Sequence, residues 1–600
     1  MWSRKEAPAM APASRQLSFS SDRQCQINLY LQQQVSIVED ASATLLLLGR
    51  IRPYNQPYQP TDDLQWLLGL WQHKTDLPHF YRQIAGFFTL LIFEHSNDSV
   101  HLINDHVGSI PLYFHNSTNQ EGQHTWLSDN LKHKAARGLP LNSQALYNYF
   151  FYHCIPSEQT VLQQTLKLAP GTWYQLNAAE NAASMLVVKN QVNLYRPEHP
   201  GTVQSAAELQ IACKQVIDTA VARNLQTDCA AFLSGGLDSS TVSGLLSIYQ
   251  PSARTFSIGF DAKGYDETEY ALITAKHFKT NHHVHYLQPE EIVENFVEVA
   301  AYFDEPFGNS SAMAAYICAS VAKQHGVNVM LAGDGGDEIF AGNERYAKQK
   351  VFELFAGLPK SLQSLLDTVT HSPLGGLPLL RKARSYVDQA KIPLPDRLDT
   401  YNFLNRFAPE QMFCDEFLAQ VDTQAPAQAK RQRYQQCKAT DPVDKMMYLD
   451  WKFTLADNDL VKVSSMCHKA GVEVRYPLFE KEVVDFSCTV PPDIKLPGNK
   501  LRDFYKNSFK GFLADETLDK AKHGFGLPFG VWMKEQPRLQ QLTEQTLAAL
   551  KTRQIIRPEF IDEALQIYRS GHLGYYGELI WIMVVLELWL QGWERNEHAA

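Results

Sequence analysis

Apolar and polar residues change their period twice along this chain. From Cys25 to about Gly49 apolar residues alternate with polar ones or run together (Ile27, Leu29, Leu31, Val35, Ile37, then Leu45 to Leu48), and comparable runs return at Gly86 to Phe93 and Val100 to Asn104. A period of two places successive side chains on opposite faces of a strand, so this stretch is predicted to be β-rich. Ahead of it, residues 1–22 are rich in Ser, Ala and Pro and read as a flexible arm. Leu141 to Phe151 has helical spacing, Lys167 to Leu176 carries a Pro170-Gly171 turn before a short strand, and 193–201 is a polar, proline-containing connection. A domain boundary is expected there, separating 23–195 from 205–600.

Beyond the boundary the period lengthens. Ala206 to Ala222 predicts an amphipathic helix, Cys229 to Leu233 a buried strand and Ser239 to Tyr249 a second helix. Strand, glycine turn and helix open a doubly wound α/β domain. The alternation continues with a strand at Thr255 to Phe260, a helix at Glu267 to His277 and a strand at Val327 to Leu331. From about Phe352 to Trp593 apolar positions recur at three and four residues, which predicts a mostly helical extension.

At 600 residues the chain is too long for one ordinary core and suits two or three domains. Its 55 basic and 65 acidic residues give a net charge of −10 without a long basic run, so neither a nucleic-acid footprint nor an anionic-membrane patch is evident. Small molecules or peptides are the expected partners. Nine cysteines are scattered singly, without Cys-x-x-Cys pairs, which fits a reducing cytoplasm and argues against a structural zinc. The start lacks an apolar run of signal length, and no apolar stretch approaches the ~20 residues of a membrane span. The chain reads as soluble and cytoplasmic.

Two segments carry chemistry. In Ala231-Phe232-Leu233-Ser234-Gly235-Gly236-Leu237-Asp238-Ser239-Ser240 a strand ends in a hydroxyl and two glycines, so successive backbone N–H groups can face an anion at the start of the next helix. The Gly-Lys-Ser/Thr ending of a mononucleotide loop and the Gly-x-Gly-x-x-Gly spacing of dinucleotide folds are both absent. Asp238 would repel a bare phosphate; with Mg2+ between them it becomes a ligand. Leu331-Ala332-Gly333-Asp334-Gly335-Gly336-Asp337-Glu338 gathers three carboxylates in five residues on a glycine-rich turn, a costly arrangement unless a cation or a reacting proton uses them.

The first loop resembles the signature of the ATP pyrophosphatases and, in its extended form, the synthetase domain of the asparagine synthetase family. Further segments match in the same order, so the resemblance covers nearly the whole chain. It implies ATP and Mg2+, a doubly wound parallel-sheet ATP-pyrophosphatase (adenine nucleotide α-hydrolase-like) domain with a helical C-terminal extension, and an acyl-adenylate that an amine converts to an amide. Nucleotide contacts are implied at Leu233, Ser234, Gly235, Gly236, Asp238, Ser239, Ser240, Ala332 and Gly333, with Ile258 against adenine. Asp238 and Asp337 take the metal, and Asp334 stands beside the nucleophilic amine, able to orient it or accept its proton. Asp459, with Asp457 as a companion, faces the second substrate, and Lys522 in Lys520-Ala521-Lys522-His523-Gly524-Phe525 steadies the charge developing on pyrophosphate. Asn499-Lys500-Leu501-Arg502 belongs to the same closing basic loop. Where the family carries Asp-Arg after Lys-Val, this chain has Ser464-Ser465.

In the front half, Asp105-His106-Val107-Gly108-Ser109-Ile110-Pro111-Leu112-Tyr113-Phe114 resembles a segment of the family's glutaminase domain, which implies an N-terminal-nucleophile (Ntn) hydrolase-like αββα sandwich. Glutamine hydrolysis there needs a cysteine at a free amino terminus. Trp2 stands at position 2, Cys25 follows Gln24, and Leu48-Gly49-Arg50-Ile51 occupies the place of the Asn-Gly-Glu-type substrate segment. A degenerate glutaminase is therefore expected, as in the β-lactam synthetases and the lasso-peptide macrolactam synthetases. Asp334 is not the tyrosine of the former, which favours peptide macrolactam closure, with a precursor peptide, a protease or a second copy as partners. Asparagine synthesis from aspartate and ammonia is the alternative; a non-catalytic nucleotide-binding scaffold is the alternative of another class.

Overall fold

The computed structural model describes residues 3–6, 15–20, 26–58, 64–119, 122–179, 182–194, 204–262, 264–371, 378–400, 402–521 and 526–598. Two six-stranded sheets form the front half. The first runs, edge to edge, Ser3–Glu6, Arg15–Ser20, Gln26–Leu31, Gly122–Ser128, Tyr113–Asn119 and Thr165–Lys167; the second runs Ala182–Asn193, Thr172–Ala179, Val100–Asn104, Ile84–Glu94, Ala43–Pro53 and Val35–Glu39. Their inner faces meet through Leu29, Leu46, Leu48, Leu91, Phe93 and Leu102, all buried. The helix Gln65–Gln72 covers the far side of the second sheet with Leu67, Leu68 and Trp71. The expected sandwich is thus present.

The first residues depart from the expected arm. Arg15–Ser20 pairs antiparallel with Gln26–Leu31, and Leu17 and Phe19 are sealed between the sheets. Leu17-Ser18-Phe19-Ser20 has the period of a half-buried strand, which the surrounding Ser, Ala and Pro conceal in composition. Trp2 and Cys25 lie outside the described residues.

The second half is built on a five-stranded parallel sheet in the order Asn281–Leu287, Arg254–Phe260, Ala230–Phe232, Val329–Leu331, Glu473–Arg475. The chain moves outward one way from Ala230–Phe232 and then returns to its other side, so a topological switch point falls between Ala230–Phe232 and Val329–Leu331. Ligands of open parallel sheets bind beyond the carboxyl ends of the strands at such a point. Helices Ala206–Asn224, Leu237–Tyr249, Thr268–Phe278 and Ser311–Gln324 flank the sheet, and helices continue from Glu344 to His598. Among the described residues no helix is long and apolar enough to cross a membrane.

The two halves share a polar seam. Arg52, wholly buried on the front sheet, donates to both Glu482 oxygens at 2.7 and 2.6 Å and to Glu480 at 2.5 Å, while Asn224 donates to the other Glu480 oxygen at 2.7 Å. Nearby, Trp451 donates to the His106 carbonyl at 3.1 Å and Lys452 to that of Pro170 at 2.7 Å.

Candidate active site

A cleft of about 890 Å3 opens beyond the carboxyl ends of the parallel strands. Its floor is the turn between Ala230–Phe232 and the helix Leu237–Tyr249. Gly236 caps that helix without a side-chain hydrogen bond, so the first amides of the helix remain directed at the cleft with the positive end of its dipole. Gly235 lies at φ +71°, a left-handed conformation, and a Cβ there would overlap the Tyr270–Ala271 backbone. Ser234 and Ser239 close the turn, their hydroxyls 3.0 Å apart, with the Ser234 amide donating to Ser239 Oγ at 3.2 Å. The result is a cradle of main-chain donors with hydroxyls at its rim, suited to phosphate oxygens.

The second glycine-rich turn packs onto the first. Gly333 passes so close to Ser239 that a Cβ would come within 2.6 Å of its backbone. Gly333→Ala is therefore expected to force the two loops apart, lowering stability by about 1–3 kcal/mol and weakening nucleotide binding. Thermal melts and ATP titration check this; an unchanged melt with unchanged affinity would show that the loops are not held in register.

Asp238 and Asp337 converge on one cation. The Arg502 guanidinium is ion-paired with Asp337 and lies 3.9 Å from an Asp238 oxygen. A Cβ on Gly336 would overlap the Asp238 carboxylate, and one on Gly342 the Asp337 carboxylate, so glycine is required where each acid enters. Two carboxylates drawn to one positive group beside an anion cradle are a donor set that fits Mg2+. Arg502 itself stands in a left-handed turn, φ +57°, at the head of the short helix Asp503–Ser508.

Deeper in the cleft Asp334 shares a corner with Asp459 and Lys462. Lys462 Nζ pairs with Asp459 Oδ1 at 2.8 Å. Burial lifts the Asp334 carboxyl to about 6, Asp459 adds to the rise and Lys462 opposes it. Burial pulls the Lys462 ammonium down, but Asp459 and Asp334 together leave it above its ordinary value. A carboxyl near 6 holds a proton reversibly in the neutral range, the property of a base that must accept one and release it.

Ile258, Leu233, Ser234, Gly236, Asp238, Ser239, Gly333, Asp334, Asp337 and Asp459 all line this one cleft. Ser240 is fully buried, its hydroxyl 2.9 Å from Thr274, and holds the helix Leu237–Tyr249 to its neighbour. Ala332 is buried in the sheet, its amide donating to the Arg475 carbonyl. Asp457, two residues from Asp459, points away: it accepts from Ser157 at 3.1 Å and lies 3.9 Å from Lys167 in the seam between the halves. Asp450–Asp459 is wound as a π-helix, and residues two apart on a helix project to different sides. Lys522 lies outside the described residues; Lys520 and Ala521, which precede it, line the cleft, with Lys520 paired to Glu267 at 2.9 Å. In the sequence Arg502 stood only within the closing basic loop, without a role of its own, and Lys462 was given none. Lys462 had a local signal, three residues from Asp459; Arg502 reaches the site only through tertiary folding.

A family model described as asparagine synthase matches residues 212–591, and one described as a glutamine amidotransferase domain matches 50–186. An asparagine synthetase [glutamine-hydrolyzing] 1 of Bacillus subtilis is 22% identical over 536 residues, 89% of this chain and 81% of the relative. Asparagine synthetase B [glutamine-hydrolyzing] of Escherichia coli is 22% identical over 313 residues, 48% of each chain. Amidase chry2 of Gibberella zeae is 21% identical over 378 residues, 55% of this chain and 54% of that one.

Proposed function

The chain belongs to the asparagine synthase family and is an ATP-dependent carbon–nitrogen ligase, and on that premise we propose how its cleft divides the reaction. The glycine turn at Ser234–Ser239 holds the phosphates of ATP, with Ile258 against the base. Asp238 and Asp337 hold Mg2+, which when bound neutralises charge on the phosphates. The carboxylate substrate attacks the α-phosphorus, giving acyl-adenylate and pyrophosphate. Asp334 orients the amine and takes its proton as the amide forms and AMP leaves. Asp459, braced by Lys462, faces the second substrate, and Lys522 is assigned the charge that develops on pyrophosphate. The observation that carries this reading is the convergence of Asp238 and Asp337 on a single positive group beside a main-chain anion cradle.

The amine, in this reading, does not come from glutamine hydrolysed on the front half. Leu48-Gly49-Arg50-Ile51 stands in the place of the family's Asn-Gly-Glu-type substrate segment, and its Arg50, like the neighbouring Arg52, is engaged with the other half, Arg50 with Glu473 at 3.7 Å and Arg52 with Glu480 and Glu482. The cleft, at the upper end of the volumes usual for small-ligand sites, leaves room for more than a nucleotide and an amino acid, which favours closure of a peptide onto its own amine. Similarity to the B. subtilis relative over most of the chain favours the second reading, aspartate with ammonia.

Acid-dependent exchange of labelled pyrophosphate into ATP tests the assignment. Exchange is expected with the true acid, and amide with an added amine or ammonium but not with glutamine alone. Exchange with aspartate selects asparagine synthesis; glutamine-supported turnover overturns the loss of hydrolysis; ATP binding with no pyrophosphate release under any acid overturns the ligase chemistry.

A further inference from the structure

A second cavity, of about 510 Å3, lies where the front half meets the helix Ala425–Gln436, and it shares no lining residue with the cleft. Apart from Pro426 and Tyr434 that helix is alanine, glutamine, lysine and arginine, so no apolar stripe seats it on the protein. Ala425, Ala429, Gln432 and Gln436 recur at helical spacing, and with Arg433 they turn a polar face onto the cavity. The other wall comes from the helix Ser143–Tyr152, from residues 156–159 and from the strands Thr172–Ala179 and Ala182–Asn193. Those two strands end the second sheet on the side away from Ala43–Pro53, so the cavity is not the place of the segment 48–51. Its volume is that of a small-ligand site.

The charges of this cavity are not paired with one another. On the helix, Lys430 pairs with Asp399 at 2.5 Å and Arg431 with Asp396 at 2.8 Å, but Arg433, the basic side chain that lines the cavity, makes no ion pair among the described residues. Glu158, on the front-half wall, accepts from Tyr174 at 2.7 Å and from Gln191, both on Oε1, and likewise makes no ion pair among the described residues. The rest of the lining is rich in side-chain amides (Asn148, Gln159, Gln191, Gln432, Gln436), each able to donate and accept as a peptide group requires. Tyr152 and Phe453, stacked at 5.0 Å, add an apolar wall. A phosphate would be repelled by Glu158, and a lone carboxylate or amine would leave one of the two charges unanswered. A zwitterion answers both. We propose that this cavity binds an α-amino acid or a short unblocked peptide, with the carboxylate at Arg433 and the ammonium at Glu158.

The test is calorimetric titration of the full chain with the common L-amino acids and with unblocked Ala-X-Ala tripeptides, beside the same tripeptides acetylated at the amino end or amidated at the carboxyl end. At least one zwitterion is expected to bind, and blocking either of its ends should weaken it on the order of tenfold or more, the worth of a charge-assisted hydrogen bond. Comparison of single amino acids with tripeptides tells which of the two sources the cavity accepts. Arg433→Gln should remove the preference for a free carboxylate and Glu158→Gln that for a free amine. Both variants should keep the melting temperature and pyrophosphate exchange, since Arg433 has no ion pair to lose and glutamine keeps the Oε1 acceptor. Asp334→Asn, in the cleft, should leave this binding unchanged. The blocked peptides probe the wild-type chain directly, so the outcome does not hang on how the variants fold. Absence of binding by every zwitterion, equal binding of blocked and unblocked forms, a variant that binds as the wild type does, or loss of binding in Asp334→Asn overturns the proposal.

Discussion

Asp238→Asn is expected to lower acid-dependent pyrophosphate exchange by at least about a thousandfold while the fold melts no lower than the wild type. The substitution keeps the shape of the side chain and removes only its charge, and Asp238 already sits opposite Asp337 around a single guanidinium. Removing one of two mutually repelling carboxylates does not weaken the folded state; it removes half of what would hold a divalent cation at the phosphates. Asp337→Asn should cost about as much, and the double variant little more than either, because the two acids act as one unit. Exchange measured across a range of Mg2+ concentration checks this. Activity within tenfold of the wild type at ordinary Mg2+ would remove Asp238 from the metal set.

Asp334→Asn is expected to separate the half-reactions. Adenylation, followed by exchange, should remain within a few fold, whereas amide formation should fall by about 10^2 to 10^4, the usual worth of a positioned base. The wild-type rate should also show an acidic limb. Asp334, lifted to about 6, must be ionised to accept the proton, so below that pH the amine-dependent rate loses about one further tenfold per pH unit, and the variant lacks this break. Stability runs the other way. A carboxyl whose folded value lies above its unfolded one stabilises the protonated fold and penalises it once pH rises past the folded value, so Asp334→Asn should melt higher than the wild type at about pH 8, an advantage that fades towards about pH 4. Equal loss of exchange and amide formation would place Asp334 in nucleotide binding instead.

The parts of this site that are local in sequence were legible there. Ser234 to Ser239 and Gly333 to Asp337 each bring donors or acids together within a few residues, and the glycines between them report backbone conformations that only a tight turn requires. What was not legible depends on distance or on which neighbours a helix face meets. Arg502 lies 264 residues from Asp238, and nothing in Lys500-Leu501-Arg502 says which of its charges reaches the acids. Asp457 and Asp459 look alike in composition, but, two residues apart on one helix, they project to different sides, one towards Lys167 and the other into the cleft. Ser240 has the composition of a phosphate ligand, yet lies one step too far along the helix and turns to Thr274. The strand Arg15–Ser20 was hidden for a different reason: six alternating residues were outweighed by the Ser, Ala and Pro around them.

The buried seam at Arg52 bears on how this chain can be cut or rearranged. Arg52 is 0% exposed between Glu480, also 0% exposed, and Glu482 at 6%. A chain divided between residues 194 and 206 would hand both acids to one fragment and their guanidinium to the other, and losing one member of such a buried pair costs about 3–5 kcal/mol. Expressed alone, the ligase half is therefore expected to aggregate, and co-expressed halves to reassemble. The glutamine amidotransferase-like half would then serve the ligase half as an internal chaperone, whatever chemistry it carries itself.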